Sequence, residues 1–456
     1  MTKSKGKSKA TAVDRSDKTM HESPLEAQSR KEASFADIEA QLPKRFTKSE
    51  MSLFDKGTSK SGSLLNLIFL LTSSFIGVLG THNPFGKKAN PKDHEVWVLN
   101  NTAYRPLPAG NETLQPWEAE FVACFFQTGR KDITKTISTI ADLIGLDGQA
   151  GSDPETKKRI EERLKPFVQA IAPARTVEIS IPCSSTSGTP HKRLLGPSNQ
   201  NGISSQILPT GGSNEMDGKT ITSSSTGDLF PSLKFNTRFA GREGWAILSD
   251  VDDTIKITQT SSPIGILQST FADIPKTTEG MPEFYKVLDE SFGSPAWFYL
   301  SASPYNLYPF LAKFIPQHYP EGTIILRDAS WMYLGGLLQS FTEGVKEYKT
   351  DRISKIQSWL PARKFICIGD STQSDPESYA EMYEKYPDWI KAIYIRKVTD
   401  IPHMEAKNKN ERFIEAFKNV PDHVWRLFCK PEELADHVKH LAGQAHSGVV
   451  GSMLGM

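Results

Sequence analysis

Four short apolar runs in this chain each end in residues able to handle a phosphate ester. After Ala246–Leu248 come Asp250-Val251-Asp252-Asp253-Thr254, and after Trp297–Leu300 come Ser301-Ala302-Ser303-Pro304. Thr323–Leu326 is followed by Arg327-Asp328. Phe365–Ile368 is followed by Gly369-Asp370-Ser371, with Asp375 close behind and Lys349 in the stretch before it. A phosphomonoester is anionic, so a carboxylate that attacks it needs its charge screened. Magnesium takes oxygen ligands, and Asp250, Asp370 and Asp375 supply them, with Asp252 counted in the same set. Asp250 also has an oxygen for attack on phosphorus, which would give an aspartyl-phosphate. Asp252, two residues on, is placed to protonate the leaving alkoxide and then to take a proton from water. Thr254 would shape the loop or donate a hydrogen bond. Ser301 would donate to a phosphoryl oxygen, and Lys349 would offset charge in the transition state.

Taken singly, each residue has an ordinary structural use. A strand-end serine bonds backbone, a helix lysine is solvated, and an aspartate caps a helix. The acidic loop is not an EF-hand, because Ile255 stands at the glycine position and Ser261 at the bidentate glutamate. The joint placement after successive runs is what points to catalysis.

The elements that would hold these residues follow from periodicity. The runs above, together with Ala392–Ile395, have the length of strands buried on both faces. Helical patterns lie between them at Pro282–Glu290, Tyr305–Phe314, Lys346–Leu360 and Pro376–Tyr386. Alternating strands and helices predict a parallel sheet wound on both sides, with ligands beyond the C-terminal strand ends. This predicts an α/β catalytic domain over 241–442 with a Rossmann-like parallel sheet. Before it, 95–240 reads as a smaller β-rich (α+β) domain. Strands are expected at Val96–Leu99, Glu118–Phe126 and Thr176–Ile181, helices at Ile133–Ile144 and Glu155–Ile171, and Ser/Gly-rich loops over 184–232.

Residues 1–62 read as a disordered polar tail and 443–456 as a flexible one. Between them, 63–81 holds the apolar run Leu64–Gly80, at the short limit for crossing a bilayer. The expected attachment is peripheral or monotopic and cytoplasmic, with a single span at 64–80 as the competing reading. A formal net charge of +1 gives no field directed at nucleic acid. The four cysteines show no zinc-type spacing and imply free thiols in a reduced compartment.

The order DxDxT, strand-end Ser, Lys and GDSxxxD resembles the haloacid dehalogenase superfamily. The finer resemblance is to the actin-patch-associated phosphatidate phosphatases. It is carried by Ile247–Thr258, Phe298–Pro309, Leu326–Asp328, Lys364–Tyr379 and Ala392–Arg396, and more loosely by 95–240. The resemblance implies Mg2+-dependent hydrolysis of phosphatidate to diacylglycerol at a membrane surface. It also brings SH3-type partners to mind, but those bind a proline-rich tail and this sequence has no PxxP run after the domain. Two other readings stand beside it. One is a phosphatase acting on a soluble phosphomonoester or phosphoprotein. The other is a membrane-tethered scaffold with incidental catalysis.

Overall fold

A computed structural model describes residues 38, 86–107, 115–129, 134–146, 153–183, 188–199, 201–327 and 335–443. The run Leu64–Gly80, both predicted tails apart from Ile38 and Gly443, and Asp328 lie outside the described residues. Among the described residues, no helix is long and apolar enough to cross a membrane.

The first half builds a curled nine-stranded sheet. Its strands are β1 (Lys87–Lys88), β2 (His94–Val98), β3 (Asn101–Tyr104), β4 (Glu118–Gln127), β5 (Arg175–Ile181), β6 (His191–Leu195), β7 (Ile203–Pro209), β8 (Thr220–Ser225) and β9 (Lys234–Phe239). Most pairs are antiparallel, whereas β1–β5 and β3–β9 are parallel. Phe121, Ala123 and Phe125 of β4, at period two, join Val177, Ile179 and Phe235 in one apolar cluster. Two helices, α1 (Thr134–Leu143) and α2 (Pro154–Val168), lie between β4 and β5 in sequence. Asp153 caps α2 by accepting from the Thr156 amide, and Pro154 opens it.

Residues 184–232, expected to be loop, instead contain β6, β7 and β8. Their exposed positions are mostly polar (Lys192, Ser205, Thr220 and Thr222, with Ile207 and Pro209), so the backbone pairing and a few inward residues mark them as strands. Sequence rules that weigh Ser and Thr as turn formers miss such strands.

The second half forms a six-stranded, all-parallel sheet in the order β12-β11-β10-β13-β14-β15. Here β10 is Trp245–Asp250, β11 Ala296–Pro304, β12 Thr323–Arg327, β13 Lys364–Asp370, β14 Ile390–Arg396 and β15 Trp425–Phe428. The last strand adds an edge that the apolar-run pattern did not reveal. The helices are α3 (Pro263–Leu267), α4 (Met281–Ser291), α5 (Tyr308–His318), α6 (Gly335–Thr342), α7 (Val345–Trp359), α8 (Asp375–Lys385) and α9 (Asn410–Ala416). Alternate strand residues face opposite layers. Ile247, Tyr299, Ile366 and Ile368 pack with Phe284 and Leu288 of α4 and Phe314 of α5. Ala246, Leu248, Phe298 and Cys367 pack with Ile353 and Ile356 of α7 and Met382 of α8. Burial on both faces explains why these strands read as unbroken apolar runs.

The two sheets are joined by packed side chains. Leu164 and Phe167 of α2 belong to the same buried cluster as Phe271 and Leu311, and Tyr104 stacks on Trp359 at 5.6 Å. The Tyr308 hydroxyl accepts from the Asn100 amide at 2.8 Å, and Lys355 pairs with Glu120.

Candidate active site

Strand β10 stops at Asp250, and the chain then turns back sharply. The turn rests on Asp253, at φ +63°, in the left-handed region that aspartate tolerates better than most residues. Its carboxylate accepts from the amides of Thr258, Gln259 and Thr260 at 2.7–2.8 Å. Arg396 donates to its carbonyl at 2.8 Å. This closed loop places Asp250 and Asp252 at the C-terminal edge of the sheet, in different surroundings.

Asp250 joins a buried acidic cluster. Carboxylate oxygens of Asp250, Asp370 and Asp375 lie within 4.8 Å of one another, and all three residues are 1% exposed or less. Lys349, reaching in from α7, donates to Asp250 Oδ1 at 2.7 Å and also pairs with Asp375. The Thr254 hydroxyl lies 2.9 Å from Asp370 Oδ2 and 3.2 Å from Asp250 Oδ2. Asp375 accepts the Asp370 amide at 3.1 Å. Gly369 is required here, because a Cβ at that position would sit 2.6 Å from Asp375 Oδ2. The Ser371–Gln373 loop between the two acids is held by Arg412, which donates to the Ser371 and Gln373 carbonyls and pairs with Glu377 at 2.8 Å.

Three carboxylates and one ammonium leave two negative charges uncompensated in a desolvated cluster. Burial, together with the other acids, pushes the Asp250 carboxyl well above its usual range despite Lys349. Burial and the neighbouring Asp375 and Asp253 raise Asp370 to about 6. Burial alone would lower Lys349, but Asp250, Asp375 and Asp370 outweigh it and raise it above its ordinary value.

Asp252 stands apart from this trio and is ringed by hydroxyls. Ser301 donates to its Oδ2 at 2.6 Å, Ser303 to the same oxygen at 3.2 Å, and Thr258 to Oδ1 at 2.7 Å. Ser301 is itself fixed, since its Oγ accepts the Ser303 amide at 2.9 Å. Beside the Asp370 loop, whose Thr372 amide donates to Asp370, runs an open groove lined by Thr260, Phe341, Lys346, Thr372, His403 and Lys407.

Of the residues singled out from sequence, Asp250, Thr254, Lys349, Asp370 and Asp375 meet in one cluster. Asp252 and Ser301 meet in the adjoining one, so the Asp252 side chain is not a member of the carboxylate trio. Sequence reasoning passed over Asp253, Lys256, Thr258, Ser303 and Arg412. Asp253 and Ser303 were visible as neighbours of chosen residues. Arg412 gave no local signal, because its contacts to the site loop lie 35 to 41 residues away.

Residues 245–397 match the family described as Phosphatidate phosphatase APP1, catalytic domain. The chain is 30% identical to Phosphatidate phosphatase APP1 of Saccharomyces cerevisiae over 184 residues, which are 39% of this chain and 30% of that protein. It is 31% identical to an uncharacterized Schizosaccharomyces pombe protein over 160 residues, 34% of this chain and 26% of that one. The chain thus matches less than a third of each relative's length. A solved structure of a carbohydrate esterase aligns with 72% of this chain and 98% of its own at 9% identity, but its TM-score of 0.18 carries no weight. The strand-end acids of β10 and β13, Asp250 and Asp370, both fall inside the matched segment, which is similar to the catalytic domain of the phosphatidate phosphatase APP1 family.

Proposed function

We propose that this domain is a Mg2+-dependent phosphatidate phosphatase of haloacid dehalogenase type. The observation that carries the reading is the buried Asp250–Asp370–Asp375 trio against the single ammonium of Lys349. A donor set made only of hard oxygens, with excess negative charge and neither cysteine nor histidine, fits Mg2+ better than zinc. Asp250, Asp370 and Asp375 would hold the ion. When bound, it supplies charge neutralisation for the phosphoryl group.

The chain's own groups account for the rest. The Asp250 carboxylate attacks phosphorus, forming the aspartyl-phosphate as the ester P–O bond breaks. Asp252 gives its proton to the departing alkoxide. It then accepts a proton from the water whose oxygen attacks the phosphoaspartate, and orthophosphate leaves. Lys349 holds Asp250 in place and offsets charge on the transferring group. Ser301 exchanges its bond to Asp252 for one to a phosphoryl oxygen. Thr254 ties the nucleophile to Asp370.

Phosphatidate is favoured over a soluble ester by the family match. Its acyl chains stay in the bilayer, so the protein would act at a surface, with Leu64–Gly80 as the segment that holds it there. A scaffold has no use for uncompensated buried acids, which cost stability. The test is hydrolysis of phosphatidate, lysophosphatidate and an aryl phosphate by purified protein, with and without Mg2+. Mg2+-dependent release of phosphate, fastest from phosphatidate, is expected. Activity confined to the aryl ester would remove the lipid assignment, and activity undiminished in chelator would remove the metal.

A further inference from the structure

Lys256 is a buried ammonium that the chemistry above does not use. It is 2% exposed. Among the described residues, no carboxylate oxygen lies within ion-pair distance of it. Its Nζ donates instead to Thr258 Oγ1 at 2.7 Å and sits 3.4 Å from the Ile257 carbonyl, 5.6 Å from the centre of the Phe310 ring. An ammonium without a direct counter-ion is costly to bury, so its position calls for a reason.

The reason lies one bond further on. An ammonium can only donate, so Thr258 Oγ1 must accept from it. The single hydroxyl hydrogen of Thr258 then goes to the nearer of its two acceptors, Asp252 Oδ1 at 2.7 Å, ahead of the Lys256 carbonyl at 3.3 Å. The other oxygen, Oδ2, has only the two serine hydroxyls, and one of these, Ser301, is the group expected to turn to the substrate. Resting on the reading of Asp252 as the acid–base group, we propose that Lys256 is a positioning residue. Acting through Thr258, it locks Oδ1 as a hydrogen-bond acceptor, so that the catalytic proton is carried on Oδ2.

The step balances at that atom. The Oδ2–H bond breaks as the proton passes to the ester oxygen, and Oδ2 regains a proton from the attacking water. The charged groups facing Lys256 are Asp252, Asp253 and Asp273, which hold its charge, and Arg163, which opposes it. Burial has the larger effect and pulls it below its ordinary value.

A misplaced acid matters most when the leaving group is poor, whereas a general loosening of the fold slows all esters alike. The experiment therefore compares phenyl phosphate with para-nitrophenyl phosphate, in Mg2+, for Lys256→Met, Thr258→Val and Thr258→Ser. Lys256→Met and Thr258→Val are expected to lower kcat on the phenyl ester about tenfold more than on the nitrophenyl ester. KM should stay within about twofold, and Thr258→Ser, which keeps the hydroxyl, should behave as wild type. Joining the two damaging changes should add little, since both cut one chain of bonds. Equal losses on both esters, or no loss, would overturn the proposal. Should Lys256→Met fail to fold, the Thr258→Val and Thr258→Ser pair decides alone. Asp252→Asn separates the two failures. If it lacks the leaving-group signature, or wild type cleaves neither ester, the acid assignment falls and the proposal with it. If Asp252→Asn shows the signature and the Lys256 and Thr258 variants do not, only the role of Lys256 is lost.

Discussion

Asp250 and Asp252 lie two residues apart on one strand end, yet their surroundings are opposite. Asp250 sits among carboxylates and an ammonium. Among the described residues, the Asp252 carboxylate accepts only from hydroxyls, those of Ser301, Ser303 and Thr258. The first environment suits a group that shares a cation, whose charge would offset the burial and acidic neighbours that otherwise favour the protonated carboxyl. The second suits a group that must gain and lose a proton, with its nearest ammonium, Lys256, held one hydroxyl away by Thr258. The loop between them, pinned by Asp253, is what keeps two aspartates so near in sequence in separate surroundings, as the proposed division of roles requires.

The sharpest way to break that contrast is Asp250→Asn. The amide keeps the shape but is a poor nucleophile, so turnover should fall on the order of 10⁴-fold or more, with a normal circular dichroism spectrum. Asp252→Asn should cost less, about 10²–10⁴-fold, because the nucleophile and the charge cluster remain. Single-turnover kinetics should show both phosphorylation and hydrolysis of the intermediate slowed. If the two variants lose activity equally and at the same step, the division of roles is wrong.

The acids were legible in sequence because they stand at the ends of strands buried on both faces. Unbroken runs such as Phe365–Ile368 announce such strands, and the residue after each run must lie at the sheet's C-terminal edge. Lys349 was readable for a similar reason, since α7 leads directly into β13. The hydroxyl ring was harder. Thr258 and Lys256 follow a turn set by the left-handed Asp253, and nothing in the alternation Ile255-Lys256-Ile257 says that its lysine points inward. The nine-stranded sheet was only partly readable. Strands such as β8, Thr220–Ser225, gain their order from backbone pairing, and their Ser and Thr side chains look like those of a loop.

Two smaller effects sharpen the account of the acidic half. Gly369→Ala would drive a Cβ into Asp375. Mg2+ affinity, read by calorimetry, should fall about 10- to 100-fold, as for other changes behind a metal ligand. Asp252 and its hydroxyls should be untouched, so the leaving-group dependence of the remaining activity should not change. The pH dependence comes next. Asp370 is raised to about 6 by burial and its acidic neighbours. A folded-state value above the ordinary carboxyl one means that the metal-free protein loses stability as pH rises through that interval. Mg2+ must displace the proton, so its apparent affinity should drop about tenfold for each pH unit below this value. The Mg2+-induced gain in melting temperature should shrink in the same direction. An affinity that is flat across pH 6 would contradict the assignment of Asp370 as a ligand.

The central claim, that Asp250 carries the phosphoryl group while Asp252 moves the proton, has one direct test. The protein is mixed with a phosphate-labelled ester and Mg2+, quenched in acid, digested, and the labelled peptide sequenced. Label is expected on the peptide containing Asp250, absent from Asp250→Asn, and longer-lived in Asp252→Asn because hydrolysis of the intermediate lacks its base. Turnover by an enzyme that never shows label, or label retained in Asp250→Asn, would contradict the account.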